Sequence, residues 1–354
     1  MEQRMHIRRL AEKLRTSPRA IRFYEEKGLI APEKDPRNRY RLFSERDAWR
    51  LQTILALREV GMPVRTVKRV LEAMDKGENS GVRRYLELQR SAMFFEWIRL
   101  REMIVTLDGM IDSLENRAPD WEDMYRLTER SKRQRDRRLK WRDRWDFDGQ
   151  AASYDQRVSR CAEDFDVHRD YDTALDETLR MINPRPGERG LDLGTGTGNL
   201  AGRFLAAGAE MAGVDQSWEM LRRCREKHPQ MVTRLGNLLA IPFFDQSFDF
   251  VVTSYALHHL EEDQKPLALE EMHRVLKPGG RICIADLMFT TEEARRACLR
   301  DLSRAGKEYA IAMIEDEYYA DRSRLLAWFK ARGYRTEARQ INEILHLVHA
   351  VHPG

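Results

Sequence analysis

The sequence predicts a multidomain chain: an all-α, winged helix-turn-helix front, a long coiled-coil helix, and an α/β domain behind them. Three observations carry this. A glycine-rich turn at Arg189–Gly208 lies between an apolar strand and an amphipathic helix. An apolar heptad runs through residues 82–115. Charge is divided unevenly: residues 1–145 hold 35 Lys and Arg against 24 Asp and Glu, and the remainder holds 27 against 34. A basic front on an acidic back points to a polyanionic partner for the front alone. A length of 354 residues has room for two or three domains.

Ile7 to Leu14 reads as a short helix with Ile7, Leu10, Ala11 and Leu14 on one side. Arg15-Thr16-Ser17 makes a turn, and Pro18 opens a second helix where proline is favoured. That helix runs to Lys27, stops at Gly28, and is expected to expose Arg19, Arg22 and Tyr24 toward base edges or phosphates. Asp35 to Arg41 is a basic turn between extended pieces, the form of a wing whose arginines hold phosphate. Two helices follow, Glu45 to Val60 and Val64 to Met74, split by Gly61-Met62-Pro63. The stretch SPRAIRFYEEKGLIAPEKDPRNRYRLFSERD closely resembles the DNA-binding domain of the MerR family of transcription regulators, over about residues 5–75. The resemblance implies a domain at 1–76 with DNA contacts at Ser17, Arg19, Arg22, Tyr24, Arg39, Tyr40 and Arg41. Phe23 stands where many members have a second tyrosine. The resemblance also implies binding to double-stranded promoter DNA that is twisted to admit RNA polymerase.

In the long helix, Leu86, Met93, Leu100, Leu107 and Leu114 recur every seven residues. Trp97, Ile104 and Ile111 fill the alternate seam, with Arg90 as its polar member. A period of 3.5 favours pairing with a second chain, so a homodimer through residues 82–115 is expected, with the dimerisation helix at 78–116. The MerR resemblance implies the same, in antiparallel form. A basic linker, 117–147, comes next; Ser131 to Trp145 holds eight Lys and Arg against two Asp, with Trp121, Trp141 and Trp145 interleaved. It is either a helix docked on a neighbouring domain or a second nucleic-acid contact.

The four cysteines, Cys161, Cys224, Cys283 and Cys298, have no CxxC pairing and read as reduced residues. No signal peptide and no membrane-crossing run is evident, so a cytoplasmic, nucleoid-associated protein is expected. Histidines and acids show no metal-ligand spacing.

In the α/β domain, Gly194, Gly196 and Gly198 let the backbone bend sharply and approach a ligand. The helix start behind them offers free N–H groups to an anionic group. Asp215, at the end of the next strand, is placed to accept both hydroxyls of a ribose. The site therefore asks for a nucleoside joined to a carboxylate or phosphate. The dinucleotide fingerprint is GxGxxG; here the pattern is GxGxG, with Asn199 at the last glycine's position. This resembles the first motif of class I S-adenosylmethionine (SAM)-dependent methyltransferases, and the resemblance extends from about Asp146 to Gly354.

The resemblance implies a seven-stranded Rossmann-like domain at 148–354 that binds SAM through Gly194, Thr195, Gly196, Gly198, Asp215, Gln216, Met220, Asn237, Leu238 and Ser254. Phe147 to Asp155 resembles an FDxxAxxYD segment, which places Tyr154 over the methionine part of SAM. Asn237 stands where the family has an aspartate for the adenine amino group and keeps one carbonyl acceptor. Asp215, Asn237, Ser254 and Asp286, the last just past its strand, are expected to converge.

Methyl transfer needs an aligned nucleophile, a dry site and a proton acceptor. His258 and His259 are the candidate bases, with His259 preferred. Ser254-Tyr255-Ala256-Leu257 lacks the proline-rich motif of amino-methylating DNA enzymes, and no Pro-Cys pair is present. The acceptor is then a small molecule that also serves as effector. Helices at 290–330, with Met313, Tyr318, Tyr319 and Trp328, are placed to cap an apolar pocket. The alternative is a regulator whose methyltransferase fold is catalytically silent and senses SAM or another ligand.

Overall fold

The structure is a computed structural model that describes residues 4–36, 38–116, 121–141, 143–159 and 165–354. Arg37 of the wing and Cys161 lie outside the described residues. The chain divides into two compact units, Met1–Arg90 and Ser91–Gly354.

The first unit runs β1 (Met5–His6), α1 (Ile7–Lys13), α2 (Pro18–Glu26), β2 (Glu33–Lys34), β3 (Arg41–Phe43), α3 (Glu45–Glu59), α4 (Val64–Asp75) and the first turns of α5 (Asn79–Asn116). As expected, the unit is helical, and short strands around its wing form an antiparallel sheet in the order β1-β3-β2. Strands of two or three residues are too short for alternation to show in a sequence. The wing is the β2–β3 hairpin, with Glu33 opposite Leu42 and Lys34 opposite Arg41. Local chemistry sets the helix starts. Pro18 occupies the first turn of α2, and the Ser17 hydroxyl accepts from the Ala20 N–H at 3.1 Å. Ser44 and Asp47 form a reciprocal capping box at α3. Leu10, Ile21, Phe43, Leu51, Ile54, Met62 and Val67 make the core.

The second unit takes up α5 from Ser91 onward. It continues with α6 (Trp121–Lys140), α7 (Phe147–Gln150), α8 (Tyr154–Val158), α9 (Tyr171–Ile182), β4 (Arg189–Leu193), α10 (Asn199–Ala206), β5 (Glu210–Asp215), α11 (Trp218–Lys227), β6 (Val232–Leu235) and β7 (Phe248–Ser254). After a 3-10 turn at Leu257–His259 come α12 (Lys265–Val275), β8 (Leu276–Phe289), α13 (Glu292–Arg304), α14 (Glu308–Asp316), β9 (Ala320–Asp321), α15 (Arg322–Lys330), β10 (Arg335–Gln340) and β11 (Leu345–Val351). Seven strands lie in the order β10-β11-β8-β7-β4-β5-β6, and the two-residue β9 pairs with β8 as an eighth. The sheet is parallel from β8 to β6, and β11 is antiparallel to both its neighbours. From β4 the chain proceeds to β5 on one side and later to β7 on the other. The carboxyl end of β4 is thus the switch point where such sheets bind ligands.

The basic linker contains a helix, α6, which docks on the α/β domain: Arg138 donates to the Leu239 carbonyl and pairs with Glu102 of α5 at 2.7 Å. The heptad stripe of α5 is split in its surroundings. Leu100 and Ile104 stay 51% and 58% exposed, and Leu86, Met93, Leu107, Ile111 and Leu114 are exposed with them. Trp97, assigned to the same seam, instead meets the Phe244 ring at 6.0 Å and the Arg274 guanidinium at 4.9 Å. Phe94 and Ile98 are buried on that side. Among the described residues no helix is long and apolar enough to cross a membrane.

Candidate functional site

A cavity of about 710 Å³ opens over the carboxyl ends of β4, β5 and β7. Its walls collect Gly194, Gly196, Asp215, Gln216, Met220, Asn237 and Leu238 from the sheet side, and His258 and His259 from the turn after β7. Tyr154 lines it from the segment before the domain core. Thr195, Gly198 and Ser254, expected in the same set, are not among its lining residues. Thr195 and Gly198 shape the glycine turn from beneath: the Thr195 hydroxyl bonds buried Asp192 at 2.8 Å, and Gly198 caps α10.

The glycine turn is built for close approach. At Gly194 (φ +67°) an added Cβ would lie 2.5 Å from the Ala256 Cβ, so no other residue fits without moving the β7 loop. At Gly196 (φ +53°) the nearest side-chain atom is the Tyr154 Cε1 at 4.0 Å, so the tyrosine ring faces the bare backbone. Asp215 ends β5 with one oxygen accepting from the Gly196 N–H and the other from the Ser217 N–H, both at 2.8 Å. Burial pushes its carboxyl up to about 6 against these bonds. Asn237 differs from the expectation. Its carbonyl oxygen accepts from the Leu239 and Ala240 N–H groups, so the acceptor assigned to an adenine amino group is already engaged.

The segment before the core works as a strap. Asp148 accepts from the Ser217 hydroxyl at 2.6 Å and from the Glu219 N–H at 3.1 Å. Asp155 bonds the Thr197 hydroxyl, Asn199 and Lys227. These contacts hold Tyr154 over the glycine turn, where burial raises its hydroxyl pKa well above the ordinary value.

Asp286 is the residue the sequence placed least well. It lies inside β8, opposite His346 of β11, rather than past the strand, and it is fully buried. One carboxylate oxygen accepts from the Ala256, Leu257 and His258 N–H groups at 3.2, 2.6 and 3.3 Å. The other accepts from the Leu287 N–H at 2.7 Å and contacts the His258 Nδ1. Burial alone would raise this carboxyl, but the imidazole and the N–H groups hold it below the usual range. Burial alone would lower His258, and Asp286 lifts it above the ordinary value. His259 has its own carboxylate, with Nδ1 3.0 Å from the Glu317 Oε2. Burial, with His258 beside it, keeps its pKa low. The ligand atoms of His258, His259 and Glu317 all lie within 4.8 Å of one another.

Trp145 and Phe147 pack on His259 at 4.5 and 4.9 Å between ring centres. Tyr309, Met313 and Glu317 come from α14 and the turn after it, in the region expected to cap the pocket. Tyr318 instead bonds Arg144, while Tyr319 is buried and Trp328 packs beside Phe329.

In the first unit Arg19, Arg22, Arg39 and Tyr40 are exposed, and Ser17 is exposed at the start of α2. Arg41 is half-buried, paired to Glu25 of α2 at 2.6 Å. Tyr24 is corrected: it is 8% exposed and sits in the core. It follows Ile21 by three positions and shares its inward face. Phe23, at 42% exposed, is the aromatic that α2 presents outward.

This architecture, a helix-turn-helix unit ahead of a doubly wound sheet with a glycine turn and a terminal aspartate on β5, defines the class. The family profile described as MerR HTH family regulatory protein matches residues 5–74, and that described as Methyltransferase domain matches 191–280. An uncharacterized methyltransferase of Bacillus pumilus (strain SAFR-032) is 33% identical over 205 residues, 58% of this chain and 94% of its own. One of Alkaliphilus oremlandii (strain OhILAs) is 32% identical over 212 residues, 59% of this chain and 96% of its own. Among solved structures, magnesium protoporphyrin IX methyltransferase from Synechocystis PCC 6803 with bound SAH aligns with a TM-score of 0.45 at 17% identity, over 58% of this chain and 96% of its own. The chain belongs to this methyltransferase family through its C-terminal part and carries a MerR-type helix-turn-helix in front of it.

Proposed function

We propose that the chain is a dimeric, DNA-binding transcription regulator of the MerR type whose methyltransferase domain takes SAM and methylates a small-molecule acceptor, which also serves as effector. The observation that carries the reading is one shared cavity. It brings the glycine turn and Asp215 to one end and two carboxylate-held histidines under a capping insertion to the other. The residues fit SAM: Gly196 leaves the backbone bare beneath Tyr154, and the buried Asp215 carboxylate faces the cavity for a ribose. Bound there, SAM supplies the electrophilic methyl group.

The chain's own residues do the rest. Tyr154 and the strap hold the methionine end. Trp145, Phe147, Tyr309 and Met313 exclude water from the acceptor. His258 takes the acceptor's proton at Nε2, because Asp286 occupies its Nδ1. The front unit holds promoter DNA through Arg19, Arg22, Arg39 and Tyr40, and the exposed stripe of α5 pairs two chains.

The test is transfer from isotope-labelled SAM into a fractionated cell extract, with Asp215→Ala as blank. Label in a small organic molecule names the acceptor. Label in DNA overturns the small-molecule assignment. SAM binding without any label turns the reading into a silent sensor.

A further inference from the structure

We propose that His258, His259 and Glu317 form a binding site for one divalent transition-metal ion of the zinc type on the wall of the cavity. The three donors come from distant parts of the chain: the histidines from the turn after β7, and Glu317 from the end of the capping insertion. The fold brings their ligand atoms within 4.8 Å of one another, partly or fully shielded from solvent. The His259 Nδ1 and Glu317 Oε2 are 3.0 Å apart. Two donors bound to one ion at about 2.0–2.1 Å, at an angle between square and tetrahedral, stand roughly 3 Å from each other. His258 supplies the third ligand atom of the set. Its Nδ1 is engaged by Asp286, which fixes the tautomer with the Nε2 lone pair free. A carboxylate behind a ligating imidazole is the usual outer support of a metal-bound histidine.

The donor set selects the ion. Two imidazoles and one carboxylate suit zinc and its d-block neighbours, whereas calcium and magnesium ask for an all-oxygen shell. Three protein ligands leave a coordination position facing the cavity. Such an ion joins Glu317 of the capping insertion to the histidines after β7, so it fastens the cap over the cavity. An ion on the His258 Nε2 and a proton taken there exclude each other, so the loaded site withholds the base of the acceptor reading; the site itself stands on this geometry whether or not that reading holds.

The experiment uses the full chain, stripped with a chelator and then titrated with Zn(II) by calorimetry. Metal retained after gel filtration and the thermal midpoint are measured alongside. The expected result is one zinc per chain and a raised midpoint, since an ion that binds only the folded chain stabilises it. Glu317→Gln and His259→Ala each weaken binding by at least about tenfold, while SAM binding reports that both variants are folded. His273→Ala, a histidine stacked on His352 outside the cavity, leaves zinc binding unchanged. Absence of stoichiometric zinc binding, or binding that survives both cavity substitutions, overturns the proposal.

Discussion

Asp286→Asn separates what Asp286 does for the fold from what it does for His258. The asparagine carbonyl can take the place of the oxygen that accepts from Ala256, Leu257 and His258 at 3.2, 2.6 and 3.3 Å. Its NH2 group then stands where the other oxygen accepted from the Leu287 N–H at 2.7 Å. One buried donor is left unpaired, at a cost of about 1–3 kcal/mol, so the protein folds with a lowered denaturation midpoint. The NH2 group also faces the His258 Nδ1, which must now accept. The ring proton moves to Nε2, and the nitrogen facing the cavity loses its lone pair. Methyl transfer falls by about 10²–10⁴-fold, the usual worth of a positioned base, with SAM affinity unchanged. His258 also titrates differently. Burial lowers its pKa and Asp286 is the main group that raises it, so the substitution moves it down. NMR titration of the imidazole reads this shift without any acceptor. A folded variant with full transfer and an unmoved His258 pKa refutes the assignment.

Other outcomes follow from the same structure. Asp215 is neutral below about pH 6, so SAM affinity measured by calorimetry drops as pH falls through that value; an affinity flat from pH 8 to 5 contradicts its ribose role. The same raised pKa makes its contribution to folding stability greatest below the unfolded value and lost as pH rises through about 6. Arg22→Ala weakens duplex binding and lowers the salt slope by about one, whereas Glu26→Ala on the same helix does not. Leu100→Glu with Leu107→Glu converts a dimer to monomers in sedimentation, with SAM binding intact; an unchanged mass removes the α5 stripe from the interface. Ile98→Ala opens a cavity at a buried position and costs about 2–5 kcal/mol in the second unit's denaturation.

Much of the fold was legible because local rules dominate it. In the front unit α2 opens at Pro18 as expected, and α3 and α4 end within a residue of the expected Val60 and Met74. The glycine turn and Asp215 were equally readable, since backbone bending and a strand-end carboxylate are encoded within a few residues. What escaped was long-range. Glu317 is 58 positions from His259, and only the tertiary fold brings them together. The role of Asp286 depends on β8 continuing to Phe289, four residues beyond the predicted end at Ala285. Tyr24 turns inward because it follows Ile21 by three positions on the same face of α2.

Arg138 gives α6 a part that its charge run did not suggest. Its guanidinium is pinned between Glu102 on the long helix and the Leu239 carbonyl, next to the Leu238 that lines the cavity. One residue earlier the Gln264 side chain donates to the Arg137 carbonyl, and just beyond the same end of the helix Trp141 and Trp145 enter the cavity wall. The last turn of α6 is therefore riveted to two loops beside the cavity rather than left as a free tether. Through Glu102 the same arginine joins that turn to α5, the helix whose first turns belong to the other unit, so the cavity wall and the long helix share one side chain.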